Sequence, residues 1–322
     1  MIDCAVIVAV GSPSHHSKLL QDRPRAMLPA LGKPLIVRSM EPLYRAGIRR
    51  FILIVGIDEG GAAAYLNRQW LPDVQIEFAI RPPQMTFAQV LSNTAQNLRR
   101  PFVLSTYNVF MPVEHITALL QQADNAPHEL VISGSQETLS ADSEQQYAQL
   151  VDGRIHDLLR CQRSEAPAGA LIASNLAVCG TSFAEYLSSA AAKTAQGAYF
   201  QEIVRPYLEF SGASICLADW VLSVESDADL LLLNKKLLAE GSDAHILCEV
   251  PHSVRIISPV RIDPGVSIGQ HAVIGPNAYL ERNASVGTGA QIRNAVVIER
   301  ASVTAGTVLE NTILSRKGPV IG

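Results

Sequence analysis

The sequence predicts an α/β fold with a mostly parallel sheet over residues 1–240, followed over residues 241–322 by a linker and a short β-helix. Two patterns predict this division. Strand-like and helix-like stretches alternate through the first part, and apolar residues recur at every sixth position through most of the second. The length of 322 residues fits two domains. A composition of 48% hydrophobic and 17% charged residues is apolar enough to fill their cores.

The elements of the first part follow from short apolar runs and from apolar residues at helical spacing. The runs predict strands at Cys4–Val10, Arg50–Val55, Val74–Ala79 and Pro101–Ser105. The helical spacing predicts helices at Leu35–Ala46, Gly60–Trp70, Gln89–Leu98 and Leu230–Leu238. Strands that alternate with helices form a parallel sheet, and such sheets bind ligands at the carboxyl ends of their strands. The candidate site is therefore expected at that edge.

The six-residue repeat predicts the β-helix. Its aliphatic column is Ile256, Ile262, Ile268, Ile274, Leu280, Val286, Ile292 and Ile298, and its small column, four residues later, runs from Val260 to Ser302. A helix repeats every 3.6 residues and a strand every two, so neither explains a period of six. Six-residue repeats are typical of β-helices, in which each side of a coil is a short strand and a turn. The aliphatic column is predicted to point inward over residues 252–316.

Charge and cysteine usage limit the partners. The net charge is −4 without a long run of one sign, which does not indicate a nucleic-acid-binding face. The apolar N-terminal run is too short to span a bilayer and lacks the features of a signal peptide. The five cysteines are scattered, which predicts free thiols in a cytoplasmic protein. No nucleic acid and no membrane is expected as a partner.

Several segments carry a family resemblance. Residues 23–36, RPRAMLPALGKPLI, match the pattern P-K-x-M-L-P-v-x-G-K-P-L-I, and residues 45–48, 201–208 and 220–234 continue the match. The chain thus resembles the sugar-phosphate nucleotidylyltransferases, or NDP-sugar pyrophosphorylases. Its C-terminal repeat resembles the hexapeptide-repeat, left-handed β-helix family. The resemblance implies a Rossmann-like nucleotidyltransferase domain followed by a short left-handed β-helix.

This family transfers a nucleotide from a nucleoside triphosphate to a sugar 1-phosphate and releases pyrophosphate. Both reactants are anionic, so such a site needs magnesium, basic side chains and backbone amides. In the family's first loop, Gly11 and Pro13 stand here at two glycine positions, and Ser14 stands at a threonine position. His15 stands where the family has an arginine, and Arg25 where it has a lysine. Proline has no N–H to donate to a phosphate. Histidine cannot form the bidentate hydrogen bonds with which arginine binds a phosphate.

The remaining catalytic positions differ more. The resemblance places the family's two magnesium aspartates at Tyr107 and Ser223, and the lysine that holds the sugar phosphate at Cys161. Magnesium requires oxygen ligands, usually carboxylates, so no metal is expected. Phe87 stands in the base-recognition stretch, where relatives keep a small residue. Gly11, Ser14, Arg25 and Lys33 remain as weak phosphate or nucleotide candidates, and His15, Arg25 and Cys161 are the altered catalytic positions.

The leading hypothesis is therefore a catalytically inactive relative that acts as a structural, regulatory or assembly subunit. It would form a homo-oligomer, or a hetero-oligomer with an active paralogue, through the β-helix, and its ligand would be a nucleotide or nucleotide sugar. One alternative is an active sugar-1-phosphate nucleotidylyltransferase with an altered site, which alone would need magnesium. The other is a hexapeptide acyltransferase, for which His252 and His271 are the candidate catalytic residues.

Overall fold

The computed structural model describes residues 2–10, 18–21, 23–69, 71–98, 100–137, 139, 144–189, 200–241 and 243–321. Within these ranges, no helix is long and apolar enough to cross a membrane. All five cysteines are free, as predicted. The chain divides into two compact units. The first comprises the described residues up to Val10 and residues 36–223, and the second comprises the described residues from Lys18 to Leu35 and residues 224–321.

The helices and strands up to residue 240 alternate broadly as predicted. In chain order they are β1 Cys4–Ala9, β2 Pro29–Ala30, β3 Lys33–Pro34, α1 Leu35–Arg45, β4 Arg50–Val55, α2 Gly60–Gln69, β5 Gln75–Ile80, α3 Phe87–Ala95, β6 Phe102–Thr106, β7 Val109–Phe110, α4 Val113–Asn125, β8 Leu130–Ser135, β9 Gln145–Val151, β10 Arg154–Cys161, β11 Leu171–Cys179, α5 Thr181–Ser188, α6 Phe200–Leu208, β12 Ala213–Ala218, β13 Leu222–Ser223 and α7 Asp227–Glu240.

Short strands fill the C-terminal part. They are β14 Arg255–Ile256, β15 Val260–Ile262, β16 Ser267–Ile268, β17 Val273–Ile274, β18 Ala278–Leu280, β19 Ser285–Val286, β20 Gln291–Val297, β21 Ser302–Val303, β22 Val308–Ser315 and β23 Gly318–Ile321. Most contain two or three residues because each is one side of a coil.

The first unit is built on a nine-stranded sheet in the order β5-β4-β1-β6-β11-β8-β12-β10-β9. Strands β5, β4, β1 and β6 are parallel, as the βαβ series predicts. All six residues of β1 are buried, which explains why its sequence is a continuous apolar run rather than an alternating one. Strand β11 is antiparallel to β6 and β8, and it also pairs with β9. The predicted α/β class is confirmed.

The second unit begins with a small hairpin and includes α7. Strands β2 and β3 pair through a two-residue turn at Leu31 and Gly32, whose φ angles are 51° and 85°. A two-residue hairpin of this kind requires positive φ at both turn residues, which suits Gly32 and is uncommon for Leu31. Helix α7 packs against β2 and against β20, β22 and β23. The predicted boundary at residue 240 stays a prediction.

The C-terminal strands form a parallel β-helix. Strand β15 pairs with β18, and β18 with β20, so each strand lies on the strand one coil away. The coil length shows in contacts such as that between the Glu299 amide and Glu281, 18 residues apart. The core is aliphatic and alanine-rich, as the predicted inward column requires. At the C-terminal end, β22 turns back into β23 as an antiparallel hairpin.

One assignment within the repeat is wrong. Leu280 pairs with Val297 rather than with Ile298, and the small column continues at the buried Ala301 rather than at the exposed Ser302. The coil after Ile292 is one residue shorter, as the 17-residue contact between Asn277 and Asn294 shows. Because neighbouring positions 296–298 are all apolar, the sequence masks this deletion.

One outward face of the β-helix is also buried. Tyr279, Val296 and Ile313 are in register on successive coils and are at most 1% exposed, yet they lie outside the inner core cluster. Since side chains alternate along a strand, these three point away from the axis of the coil. Helix α7 packs on the strands that carry Val296 and Ile313. This face, formed by β15, β18, β20 and β22, is called the covered face below.

Candidate functional site

In the first unit, the two positions predicted from the family's magnesium aspartates lie at or beside the paired short strands β7 and β13. Tyr107 follows β6, and its N–H donates to the Val8 carbonyl at the end of β1 (3.2 Å). Ser223 lies on β13 and pairs with Val109, two residues after Tyr107. The carboxyl ends of β1 and β6 and the β7–β13 pair therefore meet here, which is the edge at which parallel sheets bind ligands.

These positions do not suit a magnesium ion. Tyr107 is 3% exposed and offers an aromatic ring where a hard cation needs carboxylate oxygens. Ser223 is half-buried, and its neighbours Leu222 and Val224 are apolar and buried. No group of three or more His, Cys, Asp or Glu side chains that could hold a metal ion occurs in the described ranges. The residues present do not fit the family's metal.

Asp229, in the second unit, is a carboxylate that could seem a replacement ligand, and it has another role. Its Oδ2 accepts from the Glu225 N–H (3.1 Å), the Ser226 N–H (2.9 Å) and the Ser226 hydroxyl (2.8 Å). Ser226 and Asp229 form a capping box at the start of α7. Asp229 therefore stabilises the start of α7, and its Oδ2 already accepts from these three donors.

The position of the sugar-phosphate lysine is electrostatically unsuited to an anion. Cys161 ends β10, and burial raises the pKa of its thiol, with smaller contributions from Glu165 and Glu144. The neutral thiol thus lies near two carboxylates. Glu144 also accepts from the Arg160 guanidinium (3.3 Å), which draws that cation toward the carboxylate.

The base-recognition stretch has become part of the hydrophobic core. Phe87 is the first residue of α3, is 6% exposed and belongs to the core cluster under the sheet. Thr86 caps this helix in a box with Gln89, as their reciprocal hydrogen bonds of 3.2 Å and 3.0 Å show. A large apolar side chain therefore occupies the position where the family's motif has a small residue.

The phosphate candidates are divided between described and undescribed residues. Gly11, Ser14 and His15 lie outside the described residues. In the second unit, Arg25 begins a single 3₁₀ turn and is 8% exposed, and Lys33 is half-buried on β3, paired with Ala30. The structure therefore keeps two cations on the segment that carries the P-R-A-M-L-P motif. The acyltransferase candidates His252 and His271 are both exposed on the β-helix.

Among the residues that the structure describes, three buried polar side-chain atoms on the strands of the sheet have no hydrogen-bond partner. They are the Thr106 hydroxyl directly before Tyr107, the Gln146 amide nitrogen and the Tyr147 hydroxyl, the last two on β9. Burial raises the pKa of the Tyr147 phenol, which therefore stays protonated and able to donate. Unpaired buried polar atoms cost free energy, and a polar ligand would recover it.

Sequence reasoning missed one buried polar pair. His115 Nε2 lies 2.8 Å from the Ser133 hydroxyl, and Ser133 also donates to the Met111 sulfur at 3.5 Å. Burial lowers the pKa of His115, although Asp219 opposes the shift. A neutral, buried histidine is no anion-binding cation. The apolar spacing along α4 around His115 could have indicated its burial.

Comparisons with known proteins agree with this geometry. A family model described as GMPPB C-terminal domain matches residues 256–321. The bifunctional protein GlmU of Symbiobacterium thermophilum is 23% identical over 341 aligned positions, which cover 96% of this chain and 66% of GlmU. A Schizosaccharomyces pombe protein named "Probable mannose-1-phosphate guanyltransferase" is 38% identical over 61 residues, 19% of this chain and 15% of that protein.

The fold of the first part agrees with solved structures. UDP-glucose pyrophosphorylase, solved in complex with UDP-glucose, superposes with a TM-score of 0.60 at 14% identity, over 74% of this chain and 100% of that one. The chain is thus similar to sugar-phosphate nucleotidyltransferases, and the solved structures show the same fold. It combines this Rossmann-like fold with a C-terminal β-helix, and it has a tyrosine and a serine at the two positions that the motifs assign to magnesium aspartates. The chain spans about two thirds of the length of GlmU.

Proposed function

We propose that this chain is a catalytically inactive relative of the sugar-phosphate nucleotidyltransferases and acts as a structural, regulatory or assembly subunit. The observation that carries the proposal is the buried Tyr107 beside the β7–β13 pair, at the position of a magnesium aspartate. Asp229, the carboxylate that could seem a replacement ligand, has its Oδ2 engaged in the capping box of α7. Without residues that bind a metal ion, no metal would neutralise the negative charge of the phosphates during phosphoryl transfer.

The accumulated differences from the family's motifs support this proposal over an active enzyme. Removing one stabilising donor from a phosphate or oxyanion site commonly lowers the rate by about 10²–10³. Here the two carboxylates and the sugar-phosphate lysine are all replaced, by Tyr107, Ser223 and Cys161. Such losses are not additive, but together they remove the interactions on which transfer depends.

The ligand of the subunit is proposed to be a nucleotide or nucleotide sugar, and its assembly to proceed through the β-helix, with itself or with an active relative. The unpaired Thr106 hydroxyl and Tyr147 hydroxyl support a polar ligand at the sheet. Arg25 and Lys33 support an anionic group on the motif segment. No observation favours acyl transfer by His252 or His271.

Binding that does not depend on magnesium is the expected signature of this function. Titration calorimetry with nucleotide sugars, run once with magnesium and once with a chelator at matched ionic strength, is expected to give the same affinity within about twofold. The reason is that the described residues contain no group of three or more His, Cys, Asp or Glu side chains that could hold a metal ion. A tightening of tenfold or more by magnesium, about 1.4 kcal/mol, would show a working metal site and contradict the proposal.

A further inference from the structure

Residues 23–35, called the docking segment here, contact the covered face of the β-helix and α7 at three places within the second unit. This segment carries the P-R-A-M-L-P-A-L-G-K-P-L motif, which the family resemblance assigns to phosphate binding. Arg23, Pro29, Leu31 and Gly32 of this segment, however, contact the β-helix and α7.

The first contact is an ion pair. Arg23 Nη1 donates to Glu281 Oε1 at 2.9 Å, and Nη2 reaches Glu299 Oε2 at 3.5 Å. Glu281 directly follows β18, and its side chain is only 8% exposed. Its other oxygen accepts from the Glu299 N–H at 2.7 Å. A carboxylate removed from water in this way requires its cation.

The second contact is an amide bridge from α7. The Asn234 side chain is 1% exposed and accepts from the Leu31 N–H (2.8 Å), while it donates to the Pro29 carbonyl (3.1 Å). It also donates to the Leu230 carbonyl within the helix (2.8 Å). Asn234 therefore fixes β2 and the first residue of the Leu31–Gly32 turn.

The third contact explains the glycine of the motif. A Cβ atom at Gly32 would overlap the guanidinium of Arg261, and the φ of +85° would strain any other residue. Arg261 is held in place because its Nε donates to Asp263 Oδ1 (2.7 Å) and its Nη1 to the Asp243 carbonyl (3.0 Å). The Tyr279 hydroxyl donates to the second oxygen of Asp263 at 2.9 Å.

From these contacts we infer that the docking segment folds as one cooperative unit with the covered face of the β-helix, and that Arg261, Glu281 and Asn234 are its positioning residues. The inference goes beyond the proposed function and holds whether the chain is active or inactive. It explains why the motif is still recognisable in a chain that lacks carboxylates at the two magnesium positions. Pro29, Leu31 and Gly32 of the motif make contacts that hold the fold together. By linkage, a ligand that binds the docking segment stabilises the β-helix. A partner that displaces Arg261 therefore lowers the affinity of the docking segment for that ligand.

Hydrogen exchange on the full-length chain tests this coupling. Arg261→Met and Gly32→Ala are expected to accelerate exchange of the amides of residues 28–35 and of β15 and β18 together, by tenfold or more. Arg293→Met is the control for the first variant because Arg293 is exposed and paired with Glu310. Gly289→Ala is the control for the second, since Gly289 also has a positive φ (+69°) but open space around it.

Two results would overturn the inference. One is unchanged exchange of residues 28–35 in Arg261→Met, and the other is an acceleration no larger than that in the two controls. If the variants fail to fold, the wild-type chain gives the answer. As denaturant is added, the amides of residues 28–35 and of β15–β18 should merge into one opening reaction. Separate openings would show that the segment is independent of the β-helix.

Discussion

Tyr107→Asp, which returns a carboxylate to the magnesium position, is expected to lower the free energy of unfolding by about 3–5 kcal/mol. Tyr107 is 3% exposed, so the substitution removes a buried ring and places a charge where water does not reach. The destabilisation is expected to persist in magnesium, because Ser223 and its apolar neighbours supply no second carboxylate. The measurement is chemical denaturation with and without the cation.

Two further variants bracket that result. Tyr107→Phe keeps the ring and is expected to lower the free energy of unfolding by only a small fraction of the decrease in Tyr107→Asp. Ser223→Asp introduces a carboxylate at a half-buried position and should be tolerated better. If magnesium restored the stability of Tyr107→Asp, the position would still be a metal site, and the interpretation of a core residue would be wrong.

Arg23→Ala is expected to lower the free energy of unfolding by about 2–4 kcal/mol, somewhat less than a fully buried pair would give. The cause is the Glu281 carboxylate, which is left with the Glu299 N–H as its remaining described hydrogen-bond donor. The side chain of Arg23 is 21% exposed, so water recovers part of the loss. Denaturant titration of the full chain measures the difference.

The matched control for Arg23 lies on the same β-helix. Arg293 and Glu310 are as close, at 2.6 Å, but their side chains are 54% and 36% exposed. Exposed ion pairs contribute about 0–1 kcal/mol to stability, so Arg293→Ala should hardly change the free energy of unfolding. Equal effects of the two substitutions would mean that the Arg23 pair is an ordinary surface contact, and the docking segment would lose its principal anchor.

The sequence was most informative where one physical cause dominates. Strand β4 coincides with its prediction, Arg50–Val55, because five of its six residues are fully buried and continuous burial gives a continuous apolar run. The β-helix was evident because its aliphatic core repeats along the chain.

Other features were hidden from sequence reasoning for equally physical reasons. The short coil after Ile292 was missed because Val297 and Ile298 are both apolar, so that a one-residue shift leaves the pattern intact. The contact of Arg23 with Glu281 joins residues 258 positions apart, and no periodicity reports such a pair.

Pyrophosphate release by the wild-type chain tests the central claim most directly. The full-length protein is incubated with magnesium, each nucleoside triphosphate in turn and a panel of sugar 1-phosphates. The account predicts no pyrophosphate above the protein-free blank, because Tyr107, Ser223 and Cys161 replace the groups that bind metal and sugar phosphate. Turnover with any pair of substrates that disappears in Tyr107→Ala or Ser223→Ala would contradict it.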